Sequence, residues 1–190
     1  RAGRGGVSLD PGFQTLIAQA EGWITGLRLL AHTRPGPDAP ADAAADPGQS
    51  RRHIVAYLAE EVVQQQPEAV QRFLEQTSIL AGLCAPLCDA VTGRSDGQAM
   101  LARLHAQDLF ITPLDEADRW FRYHQLLADL LRARLAQRAS AAELRTLHAR
   151  ASHWYAAQEN WEPAIDHAVH AADWEWAADL VTAAYAPLLA

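Results

Sequence analysis

The 190-residue chain contains no lysine; all 16 of its Lys and Arg residues are arginine. That removes the phosphate loop G-x-x-x-x-G-K-[ST], in which a lysine and a row of backbone amides neutralise nucleotide phosphates. The glycine-rich start at residues 3–6 is neither preceded by a strand nor followed by that lysine. Cysteine is scarce as well. Cys84 and Cys88 are the only two, spaced one helical turn apart, and no second pair with metal spacing lies nearby. They read as small core residues rather than as zinc ligands or a disulfide framework, and such usage suits a reducing cytoplasm. No apolar run approaches the ~20 residues that span a bilayer. The start Arg1-Ala2-Gly3-Arg4-Gly5-Gly6 leads into no signal-peptide core, so the expectation is a cytoplasmic protein without a membrane partner. Net positive charge is missing too: the formal charge is −7, which gives no long-range attraction to nucleic acid or anionic lipid. No nucleophile stands in an activating context such as G-x-S-x-G. A stand-alone enzyme is therefore not expected, and no catalytic residue and no metal ligand are assigned.

What is present is the alphabet of packed helices, with 49% hydrophobic residues, many of them alanine, among Leu, Glu, Gln and Arg. Asp10-Pro11 predicts a helix over 11–20, and Trp23, Leu27 and Leu30 share one face of a second over 22–33. Residues 34–49 hold four prolines and two glycines without a large apolar side chain, the composition of a flexible linker. From His53 the run Ile54, Tyr57, Leu58, Val62 is amphipathic, and Pro67 opens a helix that turns Val70, Phe73 and Leu74 inward. A helix near 84–91 ends at Thr92-Gly93, and Ser95-Asp96-Gly97-Gln98 has the form of a capping box for a helix to about 106.

The hydrophobic period then changes. Leu109-Phe110-Ile111-Thr112 and Arg119-Trp120-Phe121-Arg122-Tyr123 flank the polar tip Asp115-Glu116-Ala117-Asp118, which predicts a short β-hairpin. Short helices with such a hairpin make a winged-helix-like unit. A long amphipathic helix follows over His124–Arg138, and Ser140-Ala141-Ala142-Glu143 is a second capping box, opening a helix to about Gln158. Asn160-Trp161-Glu162-Pro163-Ala164-Ile165 and Asp173-Trp174-Glu175-Trp176-Ala177-Ala178 then repeat at an interval of thirteen residues. A polar cap, a Trp, a Glu and small residues at packing positions are the grammar of helical-hairpin repeats. His167 and His170, with Asp166 beside them, read as a solvated helix face, and the six tryptophans read as inter-helix packing.

The fold class expected is thus mainly α: a winged-helix-like domain with a short β-hairpin, followed by helical-hairpin (TPR-like) repeats. The expected divisions are 1–33, 34–49 (linker), 50–138 (winged-helix-like domain with flanking helices) and 139–190 (start of the repeats).

Several blocks resemble, in order and spacing, the MalT-like large LuxR-type transcription regulators of the STAND class. They are Glu21-Gly22-Trp23-Ile24-Thr25-Gly26-Leu27-Arg28-Leu29, Tyr57-Leu58-Ala59-Glu60-Glu61-Val62, Phe73-Leu74-Glu75-Gln76-Thr77-Ser78-Ile79-Leu80, Leu87-Cys88-Asp89-Ala90-Val91-Thr92-Gly93, and Phe121-Arg122-Tyr123-His124-Gln125-Leu126-Leu127-Ala128-Asp129-Leu130-Leu131. Arg28 stands where relatives often carry proline in an element that lies against the adenine. The resemblance implies an ATPase core preceding residues 11–33 as an intramolecular partner, ATP or ADP as the parent protein's cofactor with none bound by this stretch alone, an inducer or protein partner on the helical repeats, and self-association on activation. It also implies that a histidine of the winged helix touches the nucleotide phosphates. His124, at a helix start beside Arg122, is the candidate, the alternative being a cap or packing residue. Two other functions stay open: a winged helix that binds DNA directly, and a helical-repeat interaction scaffold. Against DNA contact, the candidate recognition helix 95–106 carries only Arg103 as an Arg or Lys, and the wing tip is acidic.

Overall fold

The computed structural model describes residues 60, 62–107 and 111–185. The expected helices at 11–20 and 22–33, the linker 34–49, the run from Ile54 to Leu58, and Leu109-Phe110 of the hairpin lie outside the described residues. The elements are α1 (Glu68–Thr77), α2 (Ala85–Thr92), α3 (Gly97–Ala106), β1 (Ile111–Pro113), β2 (Phe121–Tyr123), α4 (Gln125–Arg138), α5 (Ala141–Ala157), α6 (Trp161–His170) and α7 (Trp174–Tyr185). No described helix is long and apolar enough to cross a membrane.

Pro67 sits at the N-cap of α1, and the helix buries Val70, Phe73 and Leu74 as their spacing requires. Helix α2 carries Pro86 in its first turn and ends at Gly93, whose left-handed φ of 71° lets its N–H return to Asp89 O at 2.9 Å. Cys84 and Cys88 are free and buried, and burial pushes both thiols up. The capping box expected at Ser95 does not form. Helix α3 begins at Gly97 with Asp96 as an N-cap that makes no side-chain capping bond, because Asp96 pairs with Arg94 at 2.6 Å. The Gly97 N–H goes instead to Asp89 Oδ1 at 2.7 Å, so the start of α3 is capped from α2 across the turn.

The hairpin is antiparallel with Ile111 opposite Tyr123, Thr112 opposite Arg122 and Pro113 opposite Phe121. Phe121 directs both its N–H and its C=O to Leu83, at 2.9 and 2.8 Å, so β2 is paired on both sides. Pro113, which has no N–H to give, lies opposite the one residue whose backbone groups are already taken. At the tip, Asp115 Oδ1 accepts the N–H groups of Arg119 at 2.8 Å and Trp120 at 3.0 Å. The bond from Trp120 leads in holding its carboxyl below the usual range. Phe73, Leu83, Leu87, Leu101, Leu104, Phe121 and Leu131 form the winged-helix core.

Two polar groups fasten this core. Thr77 donates to Phe73 O at 2.7 Å, which leaves its oxygen to accept from Tyr123 Oη at 2.6 Å. Glu75, in α1, takes Arg134 and Arg138 of α4 on one carboxylate oxygen, each at 2.9 Å.

Beyond Arg138 the chain forms helical hairpins. Ser140 Oγ caps α5 by accepting the Glu143 N–H at 3.1 Å, as the second capping box predicts. Helix α5 packs on α6 and α6 on α7, with the buried alanines Ala151, Ala164, Ala168 and Ala177 beside larger buried side chains such as Tyr155, His167 and Leu180. Glu159 and Ala172 turn the two corners with left-handed φ of 55° and 59°. They too are thirteen residues apart, so the sequence repeat is also a repeat of backbone conformation.

Candidate functional site

The joint between the winged helix and the first helical hairpin is built by α5, which lies along α2. The last carbonyls of α2 have no partner within the helix, and Arg150 of α5 supplies one by donating from Nη1 to Val91 O at 3.1 Å. A cation there also complements the negative end of the helix dipole. Gly93 belongs to the same contact, since a Cβ built on it would stand 3.3 Å from Arg150 Nη1. One turn on, Trp154 meets Trp120, the residue leading into β2, edge to face with ring centroids 6.3 Å apart. One face of α5 therefore touches both the end of α2 and the base of the wing.

The other face of α5 enters the hairpin. Ser152, fully buried, donates to Ala164 O at 2.7 Å and accepts the Trp176 Nε1–H at 3.0 Å, tying α5, α6 and α7 at one oxygen. His148 and His167 lie beside it, buried and joined Nδ1 to Nδ1 at 2.8 Å. The expected solvated face is thus corrected at His167. The turn at 158–160 folds α6 back on α5, and residues at similar distances on either side of it meet. His170 does remain exposed, with its ring on that of His148.

His124 is the N-cap residue of α4 and is buried, with no side-chain capping bond. Arg122 is exposed, since the alternation along β2 sends Phe121 and Tyr123 into the core and Arg122 outward. The two residues expected to share phosphates stand two positions apart in different environments, one inside and one in solvent. The candidate recognition helix α3 leaves Arg103 exposed, and Glu116 and Asp118 are exposed at the wing tip. Asp115, read from sequence only as an unfavourable charge, closes the hairpin turn. Sequence reasoning missed the Arg150 contact and the Glu75 clamp, both of which join positions about sixty residues apart. The histidine pair had a usable signal, its near-symmetry about the turn.

Comparison with known proteins identifies the MalT winged helix domain over residues 59–143. The chain is 35% identical over 169 residues to the serine/threonine-protein kinase PknK of Mycobacterium tuberculosis, covering 88% of this chain and 15% of that protein. It is 35% identical over 166 residues to the HTH-type transcriptional regulator MalT of Yersinia pestis, covering 83% of this chain and 18% of that protein. The chain spans less than a fifth of the length of these relatives. Helices α1 to α4 with the hairpin occupy the matched domain, and the chain is accordingly MalT-like, with a MalT winged helix at residues 59–143.

Proposed function

We propose that this chain is a regulatory stretch of an ATP-dependent, LuxR-type transcription regulator of the STAND class, passing nucleotide state from the winged helix to a helical-repeat sensor. The observation that carries the proposal is the joint: Arg150 and Trp154 seat α5 on the end of α2 and the base of the wing. A displacement of the winged helix by nucleotide would therefore displace the repeats. The stretch itself performs no catalysis. An ATPase core binds ADP in a resting form and ATP in an active one, and each ligand biases the equilibrium only through unequal affinity for the two forms. An inducer or protein partner engages the repeats, and the active form self-associates in the cytoplasm. Residues 1–33 follow the ATPase core, 34–49 link it to the domain at 50–138, and 139–190 begin the sensor.

His124 and Arg122 are the residues proposed to meet the phosphates. His124 stands at the N-terminal end of α4, where the helix dipole favours an anion. His124 is buried within this chain, so a phosphate can reach it only if the side chain is uncovered when the ATPase core docks. Direct DNA contact by this winged helix is disfavoured by the exposed Glu116 and Asp118 at the wing tip.

Calorimetric titration of ADP and ATP into the parent protein, with and without His124→Ala, tests the proposal. Nucleotide binding weakened about tenfold or more by the substitution is the expected result; unchanged affinity would leave His124 a packing residue and remove the winged helix from nucleotide sensing.

A further inference from the structure

The interior of the first helical hairpin is unusual in what it buries. Where the winged-helix core holds leucine and phenylalanine, the α5–α6 contact holds alanines, Tyr155 and two histidines, His148 at 8% and His167 at 5% exposure. Their Nδ1 atoms are 2.8 Å apart, so one ring must carry the Nδ1 proton and the other must offer a lone pair. Ala164 and Ala168 of α6 are fully buried beside the pair.

We propose that the His148–His167 pair is a proton-sensitive latch, whose charging by mild acid loosens α5 from α6 and with it the seat of the winged helix. A first added proton falls on Nε2 of the donor ring, and the hydrogen bond survives, but a cation now sits in the helix interface. A second proton takes the lone pair of the acceptor ring. The bond is then lost and two imidazolium ions face each other, an arrangement that only separation or hydration relieves.

The surroundings do little to hold a charge there. On α6, Asp166 is the carboxylate that acts on the pair, and the exposed His170 ring, 5.0 Å from that of His148, adds a like charge when protonated. On α5, Tyr155 stacks on His167 at 5.7 Å. From α2, Cys84 and Cys88 act on Tyr155, whose hydroxyl burial pushes up to about 12, so it stays neutral. The described buried residues of α7 are Ala177 and Leu180, neither of them titratable. Desolvation accordingly lowers both histidines, His148 to about 4. An unfolded histidine titrates near ~6.5. Between that value and about 4 the opened state takes up more protons than the closed one, so closure weakens as pH falls through that window and is fully present above it.

The latch reaches beyond its own hairpin because α5 carries both sets of contacts. Ser152, one turn from His148, fixes Trp176 and Ala164, while Arg150 and Trp154 hold α2 and the wing.

The test is an NMR titration of the imidazole C–H signals of the 190-residue chain, with amide exchange of each helix corrected for intrinsic rate, from pH 7.5 to 4.5. At least one buried ring should titrate more than one unit below ~6.5. Protection in α5 and α6 should fall at least tenfold further than in α1 and α4. A His148→Leu/His167→Leu chain, if folded at pH 7.5, should lose that difference. Both rings titrating near the unfolded value, or protection falling equally in all helices, would overturn the proposal, and this holds on the unaltered chain whether or not the double variant folds.

Discussion

At Gly97 the side chain is absent because there is no room for one. A Cβ there would stand 2.8 Å from both Ala85 O and Asp89 Oδ1, the second being the atom that caps α3. Alanine normally favours a helix over glycine by about 1 kcal/mol, and here that gain is outweighed by the clash and by displacement of the cap. Gly97→Ala should lower stability by about 1–3 kcal/mol in urea denaturation, against the direction that helix propensity alone gives. The same position shows where local sequence falls short. Ser140 and Glu143 make the cap that their spacing announces, since that motif is closed within four residues. Ser95 to Gln98 carries a similar pattern, but Asp96 is drawn to Arg94 and the capping oxygen comes from Asp89 in the neighbouring helix. Such a bond exists only once α2 and α3 have packed.

Among the elements, the helices of the winged domain were legible because each buries one apolar stripe, and the hairpin because its period is two. Leu83 was not, since a single paired residue has no period to read, yet it completes the pairing of β2. The helical hairpins were legible through the thirteen-residue recurrence of cap and tryptophan, and their corners repeat the same left-handed turn at Glu159 and Ala172. A left-handed φ costs an L-residue roughly 1 kcal/mol, and alanine has no side-chain hydrogen bond to offset it. Ala172→Gly should therefore raise stability by about 0.5–1 kcal/mol despite the greater freedom of glycine in the unfolded chain, read as an increase in the denaturation midpoint. What the repeat did not reveal is its polar interior. His167 looked solvated on its own helix, because only the return of α6 onto α5 places His148 against it.

At the scale of the whole described molecule, the winged helix and the hairpins meet through α5. Arg150 is itself exposed, so its charge-assisted bond to Val91 O is screened by water and is worth about 0.5–1.5 kcal/mol. Trp154 on Trp120 adds about 0.5–1.5 kcal/mol beyond the area it covers. Neither partner could be read from sequence, for nothing in a helix announces that a carbonyl about sixty residues earlier needs a donor. The order of winged helix and helical hairpins was legible in the change of hydrophobic period and in the thirteen-residue repeat; the physical link between them came from the geometry. The most direct test of that link is amide exchange of the 190-residue chain at neutral pH and increasing urea, followed separately in α1–α4 and in α5–α6, for the unaltered chain and for Arg150→Ala/Trp154→Ala. A rigid joint predicts that the two regions open in one transition in the unaltered chain and in two in the variant, whereas two separate transitions before any substitution would show that the winged helix and the repeats move independently.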